Sequence, residues 1–151
     1  MRFPYLLCVA FACCFSFNIQ AEEPVSKSLV SKIAIGGHSP TSYHQSQQAN
    51  KGEKQFIYDW KDAKWLFANA QERDLFAADP TRYAPAYNGF CANALSLGEG
   101  LVKTNGRHWR IIDDRLYLFY SAKGRERWGT NTVEYIGQAN AAWQKELDQA
   151  R

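Results

Sequence analysis

One thiol dominates the chemistry this chain can offer. Cys91 sits in Tyr87-Asn88-Gly89-Phe90-Cys91-Ala92, far from Cys8, Cys13 and Cys14, which share an apolar N-terminal stretch that reads as removable. A lone cysteine has no internal disulfide partner. It is therefore a buried filler, an intermolecular link or a chemical group. Phe90, Ala92 and Leu95 suit burial of a small hydrophobe. A helix starting near Phe90 would instead set the sulfur among unpaired backbone N–H groups, which favour a thiolate. Redox use requires a partner thiol, because the chain lacks a resolving cysteine.

His38 and His44 flank Tyr43, with neither a one-turn metal spacing nor a zinc-finger spacing. They reach Cys91 only through folding. One expectation is a transition metal ion held by His38, His44 and Cys91. Another is a small ligand in an aromatic pocket beside Cys91, Tyr43 and Tyr87. HExxH, paired CxxC and glycine-rich phosphate motifs are absent from the sequence. Asp113-Asp114 falls where a hairpin turn accepts acidic residues, so a structural role is expected there.

The elements that must position these residues are legible as period and punctuation. Gln55 to Trp60 and Lys64 to Ala68 flank Lys61-Asp62-Ala63 as a first hairpin, and Trp109 to Ile112 and Leu116 to Tyr120 flank Asp113-Asp114-Arg115 as a second. Apolar residues on both faces of 116–120 predict an arm buried on both sides. Asn69 caps a helix over 70–78, which Asp79-Pro80 stops. A short helix is expected over 90–97, another over 122–128, and a long one from Thr130 or Asn131 toward Gln149. The last carries a stripe of Val133, Ile136, Asn140, Trp143 and Leu147. No internal repeat is apparent. The fold class is α+β: two β-hairpins forming a small antiparallel sheet, packed by several helices, with a long C-terminal helix.

Arg2, the apolar run from Tyr5 to Phe17 and Ile19-Gln20-Ala21 read as a signal peptide over residues 1–21. A periplasmic or secreted location is expected, with no integral membrane segment after signal removal. Residues 22–32 are polar and aperiodic and read as a flexible leader. A single domain then covers 33–149. Aromatics make up 15% of the residues and the net charge is only +3, with signs interleaved. Glu126 interrupts the one basic cluster, Lys123, Arg125 and Arg127, so no nucleic-acid surface is expected.

Ile35-Gly36-Gly37-His38-Ser39-Pro40-Thr41-Ser42-Tyr43 resembles the opening of exported bacterial YHS-domain (seleno)proteins, which usually read Gly-Tyr-Asp-Pro-Val-Ala-Tyr. Trp65-Leu66-Phe67-Ala68, Arg73-Asp74-Leu75-Phe76, Asp79-Pro80, Tyr83-Ala84-Pro85, Tyr87-Asn88-Gly89-Phe90-Cys91-Ala92 and Leu116-Tyr117-Leu118 continue the resemblance in order. The broader family is linked to metal binding, copper among the ions. Its metal-type members place cysteines at the positions of Ser42, Ala68 and Glu72, and soft metals need thiolates or imidazoles. The resemblance implies a binding module, for a metal ion or small ligand near Cys91. The alternatives are a thiol-dependent redox protein and a structural or interaction domain without chemistry.

Overall fold

The computed structural model describes residues 22–151; the expected signal segment, residues 1–21, lies outside them. Two hairpins organise the chain: β1 (Glu53–Trp60) with β2 (Ala63–Phe67), and β3 (His108–Ile112) with β4 (Arg115–Phe119). Each is antiparallel, and they remain two separate two-stranded sheets. Lys61-Asp62 and Asp113-Asp114 hold consecutive positive φ angles. This is the mirror-image turn whose twist matches that of the flanking strands. Around the hairpins lie α1 (Pro40–Gln45), α2 (Ala70–Ala78), α3 (Pro80–Tyr83), α4 (Ala92–Ser96), α5 (Ala122–Thr130) and α6 (Thr132–Gln149). The α+β class holds, with the long helix at the C-terminus. Among the described residues, no helix is long and apolar enough to cross a membrane.

The fold repeats itself at a constant offset, the one separating Ala70 from Ala122. It carries β2 onto β4 and α2 onto α5 with the same bounds. It carries the isolated bridge His38↔Lys51 onto Phe90↔Lys103. The hydrogen bond from Ser39 N to Asn50 O becomes one from Cys91 N to Val102 O. Positive φ angles at Ile35, Gly36 and Gly37 recur at Tyr87, Asn88 and Gly89. The cores correspond as well: Phe76 packs on Trp65 (5.4 Å between ring centroids) and Phe67 (5.1 Å), and Trp128 packs on Tyr117 (5.2 Å) and Phe119 (5.4 Å). Asn69 caps α2 by accepting from Glu72 N, and Ser121 caps α5 by accepting from Gly124 N. Residues 35–83 and 87–135 are thus two versions of one unit, each burying its own aromatic cluster.

The units pack head to tail. Tyr117 and Phe119 face the second unit's cluster, whereas Leu116 and Leu118 enter the first unit's cluster. This is the two-residue alternation of a strand sandwiched between layers. Trp109 meets Tyr43 edge-on at 5.2 Å. The same surface in the first unit carries Ile57, Asp59, Lys64 and Leu66 in place of Trp109, Ile111, Leu116 and Leu118. Asp59 and Lys64 form an exposed ion pair there at 3.0 Å. A charged pair on the outer face, as here, suits the end of a stack of repeats. At the other end α6 covers the second unit, with Trp143 against Tyr87 and Phe90.

Residues 22–32, expected as a leader, lie against both units. Val25 and Ser26 are buried. Ser26 N donates to Asn88 O at 3.0 Å, and Ile35 N donates to Ser26 O at 2.8 Å. Lys27 and Lys32 hold Asp62 at 2.8 and 2.5 Å. Their hydrogen bonds, Lys27 first, keep its carboxyl at about 2. Asp114, the matching turn residue, reaches back to Arg82 (3.5 Å) and His44 (3.7 Å) of the first unit. The N-terminal hairpin, residues 27–34 closed by the antiparallel bridge Lys27↔Ala34, therefore stands where a preceding unit would.

Two local expectations differ. Tyr120, expected as the last residue of an arm buried on both sides, lies past the end of β4 and is exposed. Val133 is 85% exposed, because the packed stripe of α6 begins at Tyr135 and Ile136.

Candidate functional site

Cys91 immediately precedes α4 and acts as its N-cap. The sulfur does lie at a helix start, as expected, but the helix has only 5 residues and little dipole to offer. Sγ accepts from Ala94 N at 3.5 Å and from Tyr120 N at 3.2 Å. The residue is 3% exposed and packs among Phe90, Leu95, Phe119 and Trp128. The second amide belongs to Tyr120, the residue that follows β4, so the thiol ties α4 to the exit of that strand.

The first unit shows what this sulfur replaces. Ser39 corresponds to Cys91, Ala68 to Tyr120 and Glu72 to Gly124. Glu72 Oε2 accepts from Ser39 Oγ at 2.6 Å, Ser42 Oγ at 2.7 Å and Ala68 N at 3.4 Å. The Glu72 backbone carbonyl also accepts from Thr41 Oγ1 at 3.0 Å. One buried carboxylate thus joins α1 to α2 and takes the strand-end amide. Gly124 supplies no such acceptor in the second unit, and Sγ takes the corresponding amide directly.

The other expected site residues do not assemble around Cys91. Tyr43 is fully buried and donates its hydroxyl to Gly106 O at 2.6 Å. Tyr87 is buried and donates to Asn140 Oδ1 at 2.9 Å. Burial pushes both phenols well above their ordinary range. Their polar ends are consumed in joining segments, Tyr43 across the junction and Tyr87 to α6. Asn140, the polar break in the stripe of α6, is there to accept that hydroxyl.

His38 lies at the junction of the units, with Nδ1 close against Gly106: a Cβ built at Gly106 would lie 2.7 Å from it. His44 packs edge-on to Tyr83, and its Nδ1 lies 3.7 Å from Asp114. His38 Nδ1 and His44 Nε2 are buried without hydrogen-bond partners. These orphaned nitrogens sit in different surroundings, and Sγ sits in a third. Among the described residues, no three His, Cys, Asp or Glu side chains group to hold a metal ion. His38, His44 and Cys91 do not form a donor set. Ser42, Ala68 and Glu72, the positions the YHS resemblance aligned with cysteines, do meet, but around a carboxylate oxygen rather than thiolates.

No family model matches the chain, nor does any curated protein or solved structure. Sequence reading names Glu72 as a position aligned with a family cysteine and does not single out Ser39. The helix-cap spacing signals Glu72's backbone role, but the pairing with Ser39 and Ser42 spans α1 to α2 and leaves no local signal.

The histidines give a pH dependence of known sign. Burial, with Lys51 and Arg107 nearby, lowers the His38 pKa from 6.5 against the carbonyls of Ile35 and Asn105, which raise it. Burial also lowers that of His44, with Arg82 and Arg115, against Asp114. A depressed imidazole favours the folded state fully above about pH 6.5. That contribution is lost as pH falls from there through the folded values, because the unfolded chain binds the protons first. Urea midpoints are expected to drop between pH 7.5 and 5 (~2.5 pH units across the histidine range). His38→Phe, which installs the residue of the twin position, is expected to reduce the drop. An equal drop in the variant would remove His38 from the account.

Proposed function

We propose that this chain is an exported, non-catalytic binding module of the YHS type, in which Cys91 is a structural thiol. The observation that carries the reading is the double amide contact of Sγ inside a sealed apolar cluster. A buried thiol that serves as a cap and a strap is inert. The hydroxyls of Tyr43 and Tyr87 are already committed to internal acceptors, so an aromatic pocket beside Cys91 gains no support from them. The motif resemblance supports the binding role, and the apolar segment before Ala21 supports export.

Iodoacetamide tests the thiol. Modification of the folded protein is expected to be slow and to accelerate with denaturant, following unfolding. Cys91→Ala removes the acceptor for two backbone amides and is expected to cost about 1–3 kcal/mol in urea unfolding. Cys91→Ser keeps an acceptor and is expected to cost less. Rapid, stoichiometric alkylation of the native protein would reject the structural role and restore the redox reading. Fractionation of cells expressing the chain with and without residues 1–21 tests export separately.

A further inference from the structure

The repeat isolates a lysine that lacks its twin's partner. Lys51 and Lys103 occupy equivalent bridge positions, against His38 and Phe90. Lys51 Nζ donates to Gly36 O at 2.5 Å. The equivalent carbonyl for Lys103 is that of Asn88, and the N-terminal hairpin has taken it through Ser26 N at 3.0 Å. Lys103 Nζ makes no hydrogen bond or ion pair among the described residues, and this exposed side chain lines a cleft.

That cleft, about 380 Å³, lies between the N-terminal hairpin and the junction of the two units. Ser26, Lys27, Ser28, Ser31, Lys103 and Thr104 supply its polar lining, and no carboxylate does. Lys27 is engaged by Asp62, which leaves Lys103 as the available charge. Ser28 Oγ accepts from Ile33 N at 3.1 Å and bonds Ser31 Oγ, so the pair can turn a hydroxyl toward a ligand. The neighbouring cleft shares Lys27, Ser28 and Lys103 but adds Glu22, Glu23 and Asp62. An anion entering this region therefore favours the acid-free side. Clefts between structural units are preferred ligand sites.

We propose that this cleft binds a small oxyanion of phosphate or carboxylate type, with Lys103 as its charge partner and the Ser28–Ser31 pair supplying one hydroxyl donor. The proposal gives the binding reading a location and a ligand class, and rests on it in that respect. It does not use Cys91: anion binding can fail while the thiol proves inert, and the thiol can prove reactive while the anion binds.

Titration of the purified protein with inorganic phosphate, and separately with acetate, is followed by amide NMR at low ionic strength. Saturable shifts are expected at Ser28, Ser31, Gly36 and Thr104 with at least one of the two anions. The arm that saturates at lower concentration identifies the geometry preferred. Lys103→Gln is expected to weaken binding about tenfold or more, and Ser31→Ala by less. Lys123→Gln, an exposed lysine on α5, is expected to leave it unchanged. Melting temperatures of the variants establish that each is folded, and the exposed Ser31 supplies a second route should Lys103→Gln misfold. Shifts that rise without saturating with both anions, or persist undiminished in both cleft variants, overturn the proposal.

Discussion

Phe76→Ala and Trp128→Ala are each expected to remove about 3–5 kcal/mol of stability, a large share of what a domain of this size holds. Both side chains are fully buried and each is the hub of its unit. Phe76 touches the rings of Tyr58, Trp60, Trp65 and Phe67. Trp128 touches Tyr117 and Phe119, and its indole N–H donates to Ser96 Oγ at 3.1 Å. Removing it leaves a cavity and takes away one of that hydroxyl's three partners, leaving Asn93 O and the Arg127 guanidinium. The units share β4, whose Leu116 and Leu118 complete the first core while Tyr117 and Phe119 complete the second. Either substitution is accordingly expected to lower one common urea transition rather than to split it. A loss under about 1 kcal/mol, or two resolved transitions in the variants, would contradict the shared core.

Gly36→Ala is expected to cost about 2–4 kcal/mol, combining left-handed backbone strain with overpacking. Gly36 has φ of +63°, and a Cβ there would lie 2.6 Å from Asn105 O and 3.0 Å from two more backbone atoms of Asn105. Those atoms belong to the second unit and cannot rotate away as a side chain would. Gly98→Ala isolates the backbone contribution: φ is +73° and nothing lies within 4 Å of the added atom. It is expected to cost about 1 kcal/mol. The difference between the two, read from urea unfolding, measures the closeness of the junction. Equal costs would mean that the units separate easily at this point.

Local punctuation made much of the fold readable. Asn69 and Asp79-Pro80 bound α2 where the chain suggested, and Lys61-Asp62 and Asp113-Asp114 mark both hairpin turns. The duplication was not readable, because it preserves shape more than identity. Ile35 answers to Tyr87, His38 to Phe90, Trp65 to Tyr117 and Phe76 to Trp128. The longest contiguous trace is short: Leu66-Phe67 before an Asn69-Ala70 cap, and Leu118-Phe119 before a Ser121-Ala122 cap.

Residues 22–32 were misleading for a different reason. Their composition is polar, but Ser26 is buried by backbone pairing with Asn88 and Ile35, to which composition is blind. Cys91 was identifiable as a residue at a helix start. Its second amide comes from Tyr120, a long-range contact that no local pattern encodes. Lys103 looks like any loop lysine until it is set beside Lys51.

The Asp59–Lys64 pair has an evolutionary corollary. A longer array could arise by copying the second unit, whose outer strand already offers Leu116 and Leu118 to a predecessor, whereas copying the first would bury two opposite charges at every new seam. Growth by duplication is therefore open in one direction of the chain and obstructed in the other.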